Sequence, residues 1–430
     1  MIETRDLRAG DPMPEPASVA LDADVVESAH AIVERVRLEG DAALVELTSK
    51  FDRADIAGRV RVSRDESDAA VQQLDEELKH ALEEMAERLG DLHRRQLPVG
   101  WEVAFKGVRY GERVKPIAAA GCYVPGGRAS YPSTVLMTAI PAKTAGVERV
   151  VLCSPPDETG AVPAPVLFAA SIAGVDEVYR VGGAQAIGAL AHGTESIARV
   201  DKIVGPGNAW VTAAKKDVYG IVGIDSLAGP TELVIVADKS ADPAVLAVDL
   251  VAQAEHDPMA RTTLVALDEA LAASVTVALE KEIAESPRRE IVEAAMRFTL
   301  IVLAANEAQA AEVSDRIAPE HLQIVTSDPR GFLGKANYYG AAFLGSSTPV
   351  SFGDYGVGSN HVLPTMSTAR FSSGLRASDF VTVSSFVEAS EEANANVGLA
   401  VELIATAEGL AAHAKASEIR RRTDSDSDSD

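Results

Sequence analysis

"VGGAQAIGALAHGTESIARVDKIVGPGN", residues 181–208, starts and ends on a glycine turn and encloses one helix and one strand. "AQAIGALAHG" reads as a helix, rich in Ala and Leu, with His192 at its C-terminus ahead of a glycine cap. "KIVGPGN" reads as a short apolar strand running into the second turn. The alternation continues upstream through strand "IAAAGCYVPGG", helix "YPSTVLMTAIPAKTAGV", strand "RVVLCSPP", helix "PAPVLFAASIAGV" and strand "EVYRVGG". Downstream come helix "AWVTAAKKDVYG" and strand "ELVIVAD". Repeated βα winding implies a parallel sheet covered on both faces.

A second winding follows. Helix "DPAVLAVDLVAQAE", strand "RTTLVALD", helix "EALAASVTVALEKEIAE", strand "FTLIVLA" and helix "NEAQAAEVSDRIAP" lead to strands "LQIVT" and "AAFLG". Residues 23–95 read as charged helices, and the chain after 366 reads as helical again. The expected organisation is α/β with two doubly wound domains. An N-terminal segment (1–20) precedes a first α/β domain of 21–112 plus 233–370, into which a second of 113–232 is inserted. A helical arm (371–420) and a disordered acidic tail (421–430, ending "TDSDSDSD") complete the chain. No repeat of fixed period is visible.

Composition narrows the setting. At 430 residues with 47% apolar and 5% aromatic content, the chain exceeds a single core. Its net charge of −24 argues against nucleic acid or an anionic membrane as partner. The acid excess, with 28 arginines against 12 lysines, fits either a high-salt cytoplasm or an ordinary acidic enzyme. The start shows no signal peptide, and no apolar stretch is long enough to span a bilayer. Two cysteines, Cys122 and Cys153, make no disulfide framework, and a reducing cytoplasmic location is expected.

The eight histidines sort by context. His30, His80 and His93 lie in charged helices and are expected on solvated faces. Gln253 and His256, in "DLVAQAEHD", stand three apart near a helix end, either as two ligands of a metal or as a buried hydrogen-bonding pair. Asp354, from the glycine-rich "GDYGVGSNHVLPT" (353–365), and His413, from "EGLAAHA", would complete a mixed N and O site. Glu320 and His321, in "IAPEHLQIV", would face opposite ways in a regular strand. After Pro319 they read either as an acid–base pair lining one site or as an exposed turn. Glycine turns 124–127, 181–185 and 205–208 each follow a strand, where open α/β sheets bind phosphate-bearing ligands. The G-x-G-x-x-G fingerprint is missing.

Taken together, "GCYVPGGRASYPSTVLMTAIPAKTAGV", "VGGAQAIGALAHGTESIARVDKIVGPGN", "AGPTELVIVAD", "DLVAQAEHD", "APEHLQI", "GDYGVGSNHVLPT" and "EGLAAH" closely resemble the histidinol dehydrogenase family, in family order from about residue 20 to 420. The resemblance implies two incomplete Rossmann-like domains and a zinc homodimer, held through the C-terminal arm, with shared active sites. It also implies oxidation of L-histidinol to L-histidine through an aldehyde in two NAD-linked steps, the last of histidine biosynthesis. By motif, Gln253, His256, Asp354 and His413 would bind one zinc per subunit, and Glu320 and His321 would be catalytic. Thr231, where many relatives have Ser, and Glu408 would contact substrate along with Gln253, His256, His321, Asp354 and His413. Tyr123, Gln185 and Asn208 would line the NAD site in the 113–232 domain, and His361 would support the metal loop. The rival readings are attack on the aldehyde by Cys122 or Cys153, a same-scaffold zinc dehydrogenase of another small alcohol, and a non-catalytic zinc- or nucleotide-binding relative.

Overall fold

The apolar runs bounded by glycine form strands in the computed structural model, which describes residues 2–18, 21–126 and 130–421. Gly127 of the first glycine turn, residues 19–20 and the acidic tail from 422 onward lie outside the described residues. In chain order the strands begin with β1 (Glu3–Asp6), β2 (Trp101–Phe105), β3 (Val108–Pro116), β4 (Ala119–Tyr123) and β5 (Arg149–Cys153). β6 (Glu177–Tyr179), β7 (Lys202–Val204), β8 (Gly223–Ile224), β9 (Glu232–Ala237) and β10 (Arg261–Ala266) follow. β11 (Leu300–Leu303), β12 (His321–Val325), β13 (Ala341–Leu344) and β14 (Val381–Ala389) complete the set. The chain divides into two compact units, Met1–Gln96 with Ile117–Phe380, and Leu97–Pro116 with Val381–Asp430.

The first unit holds two parallel sheets, ordered β6-β5-β4-β7-β8 and β1-β11-β10-β9-β12-β13. Each winding starts on a central strand, β4 or β9, adds two strands on one side, then returns to add two on the other. The two sheets therefore share one strand order, with β1 as an extra edge strand on the second. β4 and β9 are buried along their whole length, as continuous apolar strands covered on both faces must be.

One expected grouping is corrected. The helices of 23–94 pack on the five-stranded sheet and not on the six-stranded one: Val33, Val36 and Leu44 share a core with Ile187, Leu190 and Ile203, while Leu82, Met85 and Leu89 share one with Val135, Leu136 and Val362 of the glycine-rich loop. Gly188 makes the first of these possible, because a Cβ there would stand 3.3 Å from both Val33 and Val36. His93 is likewise corrected: it is fully buried on the apolar stripe of its helix, whereas His30 and His80 are exposed.

The second unit corrects the expected helical arm. Residues 371–380 belong to the first unit, and "VTVSSFVEA" is strand β14, paired antiparallel with β3, which pairs with β2. Its β-branched and aromatic residues favour a strand until Ser390 caps the helix Glu391–Ala407 by accepting from Ala393 N. That helix turns at Gly409, at φ 77°, into the helix Ala411–Arg421, and the pair is tied by Arg421 to Glu402 at 2.8 Å. No helix among the described residues is long and apolar enough to cross a membrane.

One helix in the first unit carries a built-in defect that the fold uses. Pro141 sits inside the helix Pro132–Thr144. Lacking an N–H, it leaves the carbonyl of Met137 without its helical donor. Asn360, from the glycine-rich loop, donates its side-chain amide to that carbonyl at 2.6 Å and accepts from Val362 N at 2.9 Å. The same amide meets His93 Nε2 at 3.3 Å, and His93 Nδ1 donates to Gln96 Oε1 at 2.8 Å. The loop is thus pinned to two helices by one buried side chain. Asn360→Leu should lower the free energy of unfolding by about 2–4 kcal/mol, the cost of two buried groups left unpaired. Urea denaturation measures it, and a change below about 0.5 kcal/mol would show that these groups find other partners.

Candidate active site

Thr231 and Glu232 lead into β9, and Pro319, Glu320 and His321 lead into the neighbouring β12, where His321 is in register with Leu233. The helix Glu307–Ile317 ends on Ala318 in the left-handed region at φ 49°, so the chain turns sharply before Pro319. That turn lets Glu320 and His321 face one place, with His321 Nδ1 3.5 Å from Glu320 Oε2. Both are buried, so the exposed-turn reading of this pair is excluded.

A chain of hydrogen bonds fixes the pair. Glu320 Oε2 accepts from the Thr231 hydroxyl at 2.5 Å and from Glu232 N at 2.9 Å. With its one hydrogen given to the carboxylate, Thr231 Oγ1 accepts from Gln253 Nε2 at 2.5 Å. The Gln253 amide nitrogen is thereby committed, and its carbonyl oxygen is left for another partner. His321 Nδ1 donates to the backbone carbonyl of Glu232 at 3.1 Å. Because a carbonyl only accepts, the hydrogen is on Nδ1 and the lone pair on Nε2, which is buried with no hydrogen-bond partner among the described residues. Burial pushes the Glu320 carboxyl above its ordinary range, and the Asp354 charge adds to this. His321, the Thr231 hydroxyl and Glu232 N pull it back.

Asp354 ends the short helix Ser351–Asp354 and stands between two imidazoles. His321 Nε2 is 3.9 Å from Asp354 Oδ1, and His256 Nε2 is 4.0 Å from Asp354 Oδ2. His256 lies in the turn just after the helix Pro243–Ala254, which carries Gln253 in its last turn. The loop's glycines meet specific demands: a Cβ at Gly353 would lie 2.4 Å from Phe343, and Gly356 takes φ 77°. His361 donates from Nδ1 to the Asp354 carbonyl at 3.1 Å and meets the Thr134 hydroxyl through Nε2 at 3.1 Å, so both ring nitrogens hold the loop.

The carboxyl ends of the other sheet meet this place. Gly205, Pro206 and Gly207, after β7, line one cleft with Thr231, Glu320 and His361. Gly205, at φ 119°, brings its Cα so close to β4 that a Cβ would lie 2.0 Å from the Tyr123 carbonyl. Its N–H donates to Asp225 at 2.7 Å, its carbonyl accepts from Lys215 at 2.9 Å, and Lys215 and Asp225 form a buried ion pair. Asn208 caps the helix Ala209–Val218, accepting from Trp210 N and Val211 N. At the ends of β4 and β6, the Tyr123 hydroxyl accepts from Gly183 N at 3.2 Å, and Gln185 is buried in the adjoining helix turn.

The first unit thus gathers Thr231, Gln253, His256, Glu320, His321 and Asp354. Glu408 and His413 belong to the second unit, where they flank the turn at Gly409 between its two helices. Among the described residues, no three His, Cys, Asp or Glu side chains stand together as a ready metal cluster. Cys122 and Cys153 are buried free thiols, and burial raises both, Cys122 to about 12. Sequence reading missed Asn360, His93 and Glu232 as supports of the site. Glu232 alone had a signal, as an acidic residue opening an apolar strand.

The histidinol dehydrogenase family model matches residues 17–421. A histidinol dehydrogenase of Synechococcus sp. is 47% identical over 399 residues, covering 92% of each chain. One from Methanothermobacter thermautotrophicus is 47% identical, covering 93% of each. The crystal structure of histidinol dehydrogenase from Elizabethkingia anophelis superposes with a TM-score of 0.92 at 34% identity, covering 97% of this chain and 98% of that one. A site of acid, imidazole and amide groups on a scaffold matched end to end leads to one conclusion: the chain belongs to the histidinol dehydrogenase family.

Proposed function

We propose that this family activity, oxidation of L-histidinol to L-histidine, runs here through Glu320 and His321 with NAD as hydride acceptor and zinc as resident metal. The observation that carries the reading is the buried Nε2 of His321, without a hydrogen-bond partner among the described residues, beside the buried Glu320 carboxyl. A lone pair kept dry and aimed by its ring partner is what a general base requires.

The strand order 3-2-1-4-5 of the five-stranded sheet, counted from β4, supports reading it as an incomplete Rossmann-like unit. Tyr123, Gln185 and Asn208 stand at its carboxyl ends, in keeping with an NAD site there. NAD would supply the hydride acceptor for both oxidations. The donor set also fits zinc: an amide oxygen freed by the Gln253–Thr231 bond, the His256 imidazole and the Asp354 carboxylate, to be joined by His413 of a partner subunit in a homodimer. When bound, zinc would act as a Lewis acid holding the substrate nitrogens.

The chain's own groups then divide the work. His321 Nε2 takes the proton of the substrate hydroxyl as hydride leaves its carbon, and the Glu232 carbonyl steadies the resulting imidazolium through Nδ1–H. Glu320 takes a proton from the water that adds to the aldehyde, helped by its raised basicity. The His321 imidazolium gives its proton to the aldehyde oxygen as the water adds, and the imidazole so restored deprotonates the hydrate for the second hydride transfer. Thr231, Glu408 and the metal-binding side chains orient the substrate. The thiol route has no support, since both cysteines are buried and their pKa values raised.

Three outcomes follow from these assignments. Glu320→Gln should slow oxidation of supplied histidinal at least about tenfold more than conversion of histidinol to the aldehyde, whereas His321→Asn should damage both. Stopped-flow NADH formation separates the steps, and equal losses for Glu320→Gln in both would refute the division.

Chelation should abolish turnover and zinc should restore it. Metal-free protein, verified by elemental analysis, that still oxidised histidinol normally would remove zinc from the mechanism.

His256→Ala and His413→Ala, each inactive, should complement each other when unfolded and refolded together. About half the dimers would be mixed, each with one site carrying both lesions and one intact, so roughly a quarter of wild-type activity should return. No recovery, with mixed dimers confirmed by mass spectrometry, would place His413 outside a shared site.

A further inference from the structure

Glu232 is a buried carboxylate, 2% exposed, that none of the roles above uses. No ion pair among the described residues includes it. Instead its Oε2 accepts from Met366 N at 2.7 Å, and Ser367 N also points to this carboxylate. Met366 and Ser367 are consecutive residues in the left-handed region, at φ 54° and 63°, although neither is glycine. Side chains rarely adopt that conformation, and two in succession need an outside hold. Successive left-handed N–H groups turned toward one anion supply it.

The turn held in this way directly follows the loop 353–365 that carries Asp354, Asn360 and His361. It is fastened to the start of β9 at two more points. Gly229 N donates to Thr365 Oγ1 at 2.7 Å, and Met366 covers Gly229 so closely that a Cβ there would stand 2.4 Å from Met366 Cγ. The main chain of Glu232 meanwhile reaches both reacting side chains: its N–H donates to Glu320 and its carbonyl receives His321 Nδ1–H. Burial pushes the Glu232 carboxyl up to about 7, with the Glu320 charge adding and Arg261 opposing. A group kept at that cost, without an ion-pair partner, must return something to the site.

We infer that Glu232 is a positioning residue: its carboxylate holds the Met366–Ser367 turn and so fixes the strand start whose main chain orients Glu320 and His321. The inference rests on the assignment of that pair as the catalytic groups.

Two conservative variants separate reach from charge. Glu232→Gln keeps the length and a carbonyl acceptor but loses the charge. Glu232→Asp keeps the charge but draws it back by one methylene. Positioning predicts that Glu232→Gln retains kcat within about threefold, while Glu232→Asp loses about tenfold or more with KM for NAD unchanged within about twofold, below the melting temperature of both. Hydrogen exchange at the amides of 366 and 367 should stay slow in the wild type and Glu232→Gln and accelerate about tenfold or more in Glu232→Asp. Equal kcat values in the two variants, a better Asp variant, or free exchange of both amides in the wild-type protein would overturn the inference. Wild-type protein that fails to oxidise histidinol would defeat the functional reading instead, and the exchange measurement would still decide the role of the carboxylate.

Discussion

The hydrogen bond from His321 Nδ1 to the Glu232 carbonyl is the contact around which the candidate site is arranged. A backbone carbonyl cannot donate, so the bond settles the tautomer, and with it the place of the basic lone pair, before any substrate arrives. A buried polar atom without a partner costs about 1–3 kcal/mol. The fold bears that cost because both ends of the bond belong to adjacent parallel strands in register, β9 and β12, which cannot shift without breaking the centre of a six-stranded sheet. Thr231, Glu320 and Gln253 then attach to the same strand start through two further bonds. Rigid backbone, more than loop, aims Glu320 and His321.

Two sheets of identical strand order serve opposite ends of the site. The five-stranded sheet presents the carboxyl ends of its strands, where a glycine turn brings backbone close to the neighbouring strand, as Gly205 does to Tyr123. The six-stranded sheet presents amino ends, since Glu232 and His321 open their strands. The usual rule for open sheets therefore locates the glycine turns but gives no warning that a buried acid and imidazole would sit at the start of strands. Their position depends on the left-handed Ala318 and the following proline, which free Glu320 from the alternation of a regular strand.

Local patterns in the sequence carried most of the fold and the composition of the site, and long-range partners carried the rest. The βα alternation, the glycine cap after His192 and the pairing of Glu320 with His321 all depend on near neighbours, so they were legible. The sheet that the helices of 23–94 cover is not legible locally, because an apolar stripe records that a face is buried and not which sheet buries it. His93 looked solvated in a charged helix, yet its partners, Gln96 and Asn360, include one 267 residues away. Strand β14 was hidden because the helix signal of 391–407 is strong and a nine-residue strand before it needs β3 to be seen. Glu408 and His413 were named from resemblance, and their placement beside the Gly409 turn adds that a tight helical hairpin presents both.

The glycine-rich loop shows how flexibility and strain are reconciled. Its glycines permit a path that few side chains would allow, but permission alone would leave Asp354 poorly placed. Three fixed points remove that freedom. Asn360 fills the hydrogen-bonding gap left by Pro141, His361 spends both ring nitrogens on Thr134 and the Asp354 carbonyl, and the turn after Thr365 closes on Glu232. The bonds of Asn360 and Glu232 are buried and those of His361 half-buried, so releasing any of them would leave a sheltered polar group unsatisfied. A proline defect in one helix and two left-handed residues beyond the loop, each unfavourable alone, together hold a supple segment in a single conformation beside Glu320 and His321.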